Sequence, residues 1–252
     1  WNTKGQTIFG LAYNSSTGRV SINGSGNIVI VGEPKYNSNA GLARVFQYSD
    51  SSNEWQQLGQ DIIGDDASLT GTTVHINRNS SNPANTYIVV GSAQDTAADY
   101  NNYQYIGSAM VYTYNNSTSV WQQKGDRIYG GYGNTAIGGY SVSINSDGSI
   151  MAMGSPGDTF TPGIVGQSIG SVRLFKWREY TQDMVGNYHN SYTEYPAVRR
   201  RIVTEHTTNS YPYGPTTPIV GNYYWIQMGF DIDGVSNYEY FGSCVAISDN
   251  GL

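Results

Sequence analysis

The chain is poor in the residues that most often carry chemistry. Of 252 residues, 13 are Lys or Arg, 19 are Asp or Glu, 3 are His, and Cys244 is the single cysteine. One cysteine excludes an internal disulfide framework. A large β-domain needs no such staples, so the compartment stays open. A net charge of −6 and a pI near 4.9 argue against nucleic acid or an anionic membrane surface, which are bound through clustered Lys and Arg. The one such cluster is Arg199, Arg200 and Arg201. No run approaches the roughly 20 apolar residues a spanning helix needs. Neither an initiating Met nor a signal peptide is present, which reads as a mature or partial chain.

What is abundant is Gly, Asn, Ser, Thr and Tyr, the vocabulary of turns and strands. Aromatic residues make up 13% of the chain, enough for a packed core rather than disorder. The pattern W-x3-G-x2-I-x-G occurs four times with unchanged spacing: Trp1-Gly5-Ile8-Gly10, Trp55-Gly59-Ile62-Gly64, Trp121-Gly125-Ile128-Gly130 and Trp225-Gly229-Ile232-Gly234. Composition alone does not hold four identities in register four times.

Each copy leads into the same series of elements. An alternating V-x-I follows (Val20 and Ile22, Val74 and Ile76, Val142 and Ile144, Val245 and Ile247), which places each pair on one face of a strand. A turn follows, with Asp147-Gly148 and Asn250-Gly251 suited to a hairpin. A short apolar strand then ends in glycine at Gly32, Gly91 and Gly154. After a variable loop, a third strand runs over 41–48, 107–114 and 170–177, apolar on both faces, as in a sheet stacked between two others. The next W-x3-G-x2-I-x-G is the expected fourth strand.

Four antiparallel strands per unit, with units stacked face to face, predict an all-β fold of β-propeller type. A two-sheet sandwich has no reason to repeat these four residues in register, and a β-helix repeats at a shorter period. Trp-to-Trp spacings of 54, 66 and 104 residues share a period near 55 once an insertion at 178–224 is removed from the last. The expected blades are about 11–64, 65–130 and 131–234, with 1–10 and 235–252 belonging to neighbouring blades. Three blades with two leftovers do not close a ring, so the expectation is part of a longer chain.

The stretch from Tyr140 to Pro156, followed by Gly170 to Trp177, resembles the FG-GAP-like repeat of integrin-α-type propellers. It is most similar to the divergent W-x-Q-x-G-x-D-I-x-G version of algae, giant viruses and bacteria. Literal Phe-Gly stands at Phe241-Gly242, and "GAP" is echoed by Gly154-Ser155-Pro156 and Gly32-Glu33-Pro34. The resemblance implies a seven-bladed propeller with an adhesive or scaffolding role at an extracellular, cell or virion surface, and a glycoprotein in a filament or virion assembly. Calcium-binding members carry a D-x-D-x-D-G hairpin. Here that hairpin reads Asn145-Ser146-Asp147-Gly148, or holds no acid in the first two blades, so no cofactor is expected. Asp231 and Asp233 read as a solvated strand end.

Catalysis finds no support in the pattern. His75, His189 and His206 show no metal-ligand spacing with the acids or Cys244, and there is no G-x-S-x-G elbow. His75 reads as a packed or exposed strand residue. Sialidase-type propellers carry S-x-D-x-G-x-T-W turns, and none occurs.

Candidate partner-binding residues fall in two loop sets. The loop from Ala93 to Ile106 offers Asp95, Asp99, Tyr100, Tyr103 and Tyr105; the insertion offers Tyr188, Tyr192, Tyr195, Arg199, Arg200 and Arg201. Tyr gives contact area and a hydrogen bond at low entropic cost, and a long Tyr-rich insertion reads as an ordered contact arm. Asn14, Asn23, Asn79, Asn115 and Asn116 begin N-x-S/T sequons in predicted turns, at about the number chance composition gives. The function expected is a non-catalytic surface-assembly module binding protein subunits or glycans. The alternative is the propeller domain of a secreted glycan-active enzyme whose catalytic part lies elsewhere.

Overall fold

The alternating segments form short strands, and their turns fold them into three antiparallel sheets. The computed structural model describes residues 2–13, 15–16, 18–78, 82–95, 106–130, 139–158, 168–185, 188–189, 200–201 and 218–251, with the pairs 188–189 and 200–201 as backbone only. The first sheet holds β1 (Val20–Ile22), β2 (Ile28–Glu33), β3 (Leu42–Ser49), β4 (Glu54–Gln57) and β5 (Ile62–Ile63). The second holds β6 (Thr70–Ile76), β7 (Tyr87–Ser92), β8 (Ser108–Asn115), β9 (Val120–Gln123) and β10 (Ile128–Tyr129). The third begins with β11 (Ser141–Ile144), β12 (Ile150–Ser155) and β13 (Ser171–Glu179). After a two-residue parallel pair within the insertion, β14 (Tyr188–His189) with β15 (Arg200–Arg201), it resumes with β16 (Tyr223–Gln227) and β17 (Ile232–Asp233).

In every sheet the first three strands lie in sequence order, and the last two both pair the third. The expected single fourth strand is therefore two strands. The break falls at the glycine four residues after each tryptophan: Gly59, Gly125 and Gly229 have φ of +78°, +74° and +74°, a region L side chains avoid. The tryptophan half pairs the far end of the third strand (Tyr48 with Trp55, Tyr114 with Trp121, Trp177 with Trp225). The isoleucine half pairs its beginning (Ala43 with Ile62, Ala109 with Ile128, Val172 with Ile232). The fixed spacing of the motif is what keeps both halves in register.

The core lies between sheets. Ile28, Ile30, Ala43, Val45 and Ile62 of the first sheet close on Val74, Ile76, Ile88, Val90 and Trp121 of the second. Val89, Ala109, Val111 and Ile128 of the second close on Val142, Ile144, Met151, Met153, Phe175 and Trp225 of the third. Within β7, Ile88 and Val90 face one layer and Val89 the other, so the middle sheet is covered on both faces. Each large aliphatic side chain so buried contributes roughly 1.5–3 kcal/mol relative to exposure, and that gain exists only where a neighbouring sheet supplies the cover.

Outside the sheets, Val245 and Ile247 form no strand, unlike their counterparts. Their amides donate to Ser141 Oγ (2.6 Å) and Ser143 Oγ (3.1 Å) on β11 instead. The base of the insertion is anchored. Tyr180 N–H donates to Asn222 O (2.8 Å), and Gly221 N–H donates to Tyr180 O (2.9 Å). Tyr180 and Met184 bury against Ile226.

Candidate functional site

The repeated residues converge on the joints between sheets. Where the second strand of one unit ends, its glycine meets a glycine leading into the next unit: Gly32 against Gly71, Gly91 against Gly139, and Gly154 against Gly242. A Cβ built on any of Gly32, Gly91 or Gly154 would strike the partner's carbonyl oxygen, so neither backbone can approach with a side chain between them. The Phe-Gly and Gly-Ser-Pro of the sequence are thus the two halves of one contact. Beside it, Thr70 N–H donates to Ala40 O (3.0 Å), and Phe241 N–H to Ile169 O (2.9 Å).

Near the start of each sheet, the middle residue of V-x-I reaches the next unit. Ile76 N–H donates to Ser21 Oγ (3.2 Å), Ile144 N–H to His75 Nδ1 (3.2 Å), and Ile247 N–H to Ser143 Oγ (3.1 Å). His75 is therefore a packed residue that accepts as neutral imidazole. Burial, and then the nearby Arg78 cation, lower its pKa from 6.5.

At the outer edge each tryptophan sits on the preceding unit. Trp55 Nε1–H donates to Lys4 O (2.9 Å), Trp121 to Leu58 O (2.8 Å) and Trp225 to Lys124 O (2.8 Å). In each case the ring covers the glycine that follows the acceptor: Trp Cδ1 lies 2.8 Å from an ideal Cβ on Gly5, Gly59 and Gly125. Gln6 and Gln60 clamp the backbone of the incoming tryptophan. Each accepts the Trp N–H and donates to the Trp carbonyl at 2.8 Å.

Each sheet also pairs one arginine with carboxylate, buried at Arg44 and Arg173 and half-buried at Arg127. Arg44 pairs with Glu33, Arg127 with Asp95 and Asp65, and Arg173 with Asp158 and Asp231. Burial disfavours the Arg173 cation, but Asp231 and Asp158 outweigh it and hold its pKa above the ordinary value. Asp95 and Asp158 also close the bases of the second-to-third-strand loops: their carbonyls accept from Gly107 N–H (2.9 Å) and Gly170 N–H (3.0 Å). Their side chains accept from Ser108 and Ser171.

The hairpins after the first strands are closed by a buried asparagine. Asn23 Oδ1 accepts from the amides of Asn27 and Ile28, Asn145 Oδ1 from Ser149 and Ile150, and Asn77 Oδ1 from Tyr87. In two units a lysine ammonium from the preceding copy of the tryptophan motif rests on the hairpin. Lys4 Nζ donates to Gly26 O (3.1 Å) and Lys124 Nζ to Gly148 O (2.7 Å), each 4.3–4.4 Å from a tyrosine ring centre. Burial lowers the Lys124 pKa to about 8, against an opposing pull from Asp147. The hairpin that the family resemblance would give to calcium thus carries the protein's own cation in these two units.

Three sequence expectations are corrected. Asp95 is not a surface contact residue: it is 2% exposed and engaged with Arg127 and Ser108. Asp231 is not a solvated strand end but a partner of buried Arg173. Asn23 is not an available glycan acceptor, because its amide is buried and donates to Ser25 Oγ and Asn27 Oδ1. Asn115 ends β8 and Asn116 begins the turn to β9; the Asn115 side chain accepts from Ser117 and Thr118 amides, and Asn116 is exposed. Asn14, Asn79, Asp99, Tyr100, Tyr103, Tyr105, Tyr192, Tyr195 and Arg199 lie outside the described residues. Tyr188, Arg200 and Arg201 are placed as backbone, in β14 and β15, where Tyr188 pairs with Arg200. Among the described residues, no group of three or more His, Cys, Asp or Glu is placed to hold a metal ion, and no helix is long and apolar enough to cross a membrane.

No protein-family model matches the chain, and no curated protein matches it significantly.

Proposed function

We propose that the three sheets are consecutive blades of a β-propeller of the FG-GAP-like kind, within a ring larger than these three. The module is structural or adhesive rather than catalytic. It works at an extracellular, cell or virion surface, where it contacts protein subunits or glycans. The observation that carries this reading is the joint. The same glycine pair and tryptophan seat recur between successive sheets, as stacking of like modules about a shared axis requires. Among the described residues, buried polar groups close hairpins and loop bases, which makes a rigid scaffold for the loops they carry.

The contact surface in this reading is the insertion between β13 and β16. Tyr180, Met184 and Ile226 root it in the third sheet, while Tyr223, Ile219 and Val220 stand exposed beside the root. Deleting residues 186–217 while keeping that root tests the role. The expected result is an unchanged unfolding transition together with loss of the chain's association with its native assembly, measured by sedimentation. Association that survives the deletion removes the insertion from the contact surface.

A further inference from the structure

The strand pair that carries the insertion differs from its two counterparts before the insertion begins. β3 and β8 are 8 residues long and pair the tryptophan strand at 4 positions, whereas β13 is 9 residues long and pairs it at 5. The added pair is Glu179 with Tyr223. Two residues before the tryptophan, the first two sheets turn instead, at Asn53 and Ser119 with φ of +57° and +56°. The longer ladder sets Tyr223, 55% exposed, beside half-buried Trp177, with ring centres 6.2 Å apart and planes inclined by 33°. Residues paired across strands, and residues two apart along one, share a face, so Glu179 lies on the same side as both rings.

Trp177 is held firmly from below. It leans on Trp225 at 5.5 Å, and its Cζ3 lies 2.4 Å from an ideal Cβ on Gly125. Its indole, however, is unlike the others. Trp55, Trp121 and Trp225 each donate to a backbone carbonyl, but Trp177 Nε1–H meets no acceptor among the described residues. Within the same set, the exposed Glu179 carboxylate meets no donor or cation, and the Tyr223 hydroxyl makes no hydrogen bond. The ledge thus offers two fixed rings, a free donor, a free acceptor and a phenol that can act as either.

We propose that this ledge binds a neutral pyranose unit of a glycan. The C–H face of the sugar stacks on Tyr223 and Trp177, the indole N–H donates to one hydroxyl, and Glu179 accepts from another. A sugar ring combines an apolar face with hydroxyls that donate and accept, which is the complement of this set of groups. The Glu179 charge, on a chain of net charge −6, disfavours an acidic sugar. Because the ladder and the rings beneath fix Trp177 in advance, binding loses little ordering entropy. The inference rests on the surface-contact reading above, and commits it to a glycan at the root of the insertion.

Saturation-transfer NMR on the whole protein tests this with cellotetraose, chitotetraose and mannotetraose as probes. At least one of them should receive saturation through its ring C–H protons. Tyr223→Ser and Glu179→Gln, both at exposed positions, should each weaken that binding by roughly tenfold. Tyr238→Ser, at an exposed tyrosine outside the ledge, should leave it unchanged. No transfer to any of the three probes, equal binding by Tyr223→Ser, or loss with Tyr238→Ser overturns the inference. So does a Tyr223→Ser protein that binds no sugar in either form yet falls away from its native assembly in sedimentation, since the ledge is then a protein contact. The surface-module reading is judged separately, by sedimentation of the chain lacking 186–217, and survives a ledge that binds no sugar.

Discussion

Gly59 and Gly229 occupy the same place in the motif with nearly the same backbone, and differ in what lies above them. Replacing each by alanine in the 252-residue chain therefore separates backbone strain from the tryptophan seat. Both variants force a Cβ into the left-handed region, at about 1–2 kcal/mol. Gly59→Ala adds a contact with Trp121 Cδ1 at 2.8 Å. That ring has little room to retreat, because Trp121 is buried, its indole N–H is bonded to Leu58 O and its amide to Gln60. Overpacking of this kind costs about 1–3 kcal/mol. The two variants should thus differ by the overpacking alone, which at about 2–4 °C per kcal/mol for a chain near this size is a Tm lower by roughly 2–12 °C for Gly59→Ala. Thermal and urea unfolding followed by tryptophan fluorescence reads the difference. Equal losses at the two sites, or a larger loss at Gly229, would refute the idea that the tryptophan seat holds neighbouring sheets together.

Gln60→Ala removes both bonds to the Trp121 backbone and should cost about 1–3 kcal/mol; Gln60→Glu, which keeps only the acceptor, should lose less, and urea midpoints of the two variants decide it. Arg173→Met leaves Asp158 and Asp231 buried without their shared cation, an expected loss of about 3–5 kcal/mol, with partial recovery in Arg173→Lys as the check on charge. His75 gives a pH dependence whose sign follows from its lowered pKa: the folded state favours neutral imidazole, so its contribution is full above about 6.5 and lost as pH falls through the lower folded value. His75→Ser, copying Ser21 and Ser143, should flatten that part of the stability profile between neutral and mildly acidic pH; an unchanged slope counts against the His75–Ile144 bond.

The strands were legible because alternation and fixed spacing report directly on which faces are covered. The sheet order followed from the same series of elements in each unit. The division of the fourth strand was not foreseen, although its signal was there: a glycine held four residues after every tryptophan marks a place where a side chain fits badly. Asn23, Asn77 and Asn145 each follow V-x-I in the sequence, yet Asn-rich turns are common enough that their burial as hairpin plugs was hidden. Asp95 misled for a different reason. It opens a polar loop, and nothing local indicates that Arg127, 32 residues later, reaches back to it. Sequence also gave no hint that Gln6 and Gln60 clamp the next unit, since a glutamine at a strand end usually meets water.

Comparison of the three units shows which features are free to move. Asp95 and Asp158 both stand four residues after the glycine ending the second strand, and both need a guanidinium. In the third sheet it comes from β13 as Arg173, with Asp231 answering from the segment between β16 and β17. In the second sheet the third-strand position is Met110, and Arg127 comes from the segment between β9 and β10 instead. The first sheet solves the same problem with Glu33 on β2 and Arg44 on β3. A charge acts through space and can be supplied from any strand within reach of the loop base. The joints have no such freedom: a glycine pair at carbonyl contact and an indole N–H aimed at one backbone oxygen admit one residue type at one position. Selection on the module therefore falls on backbone contacts between sheets, while the charges beneath the loops are rearranged from unit to unit. That division is what a scaffold needs if its loops are to vary while its stacking does not.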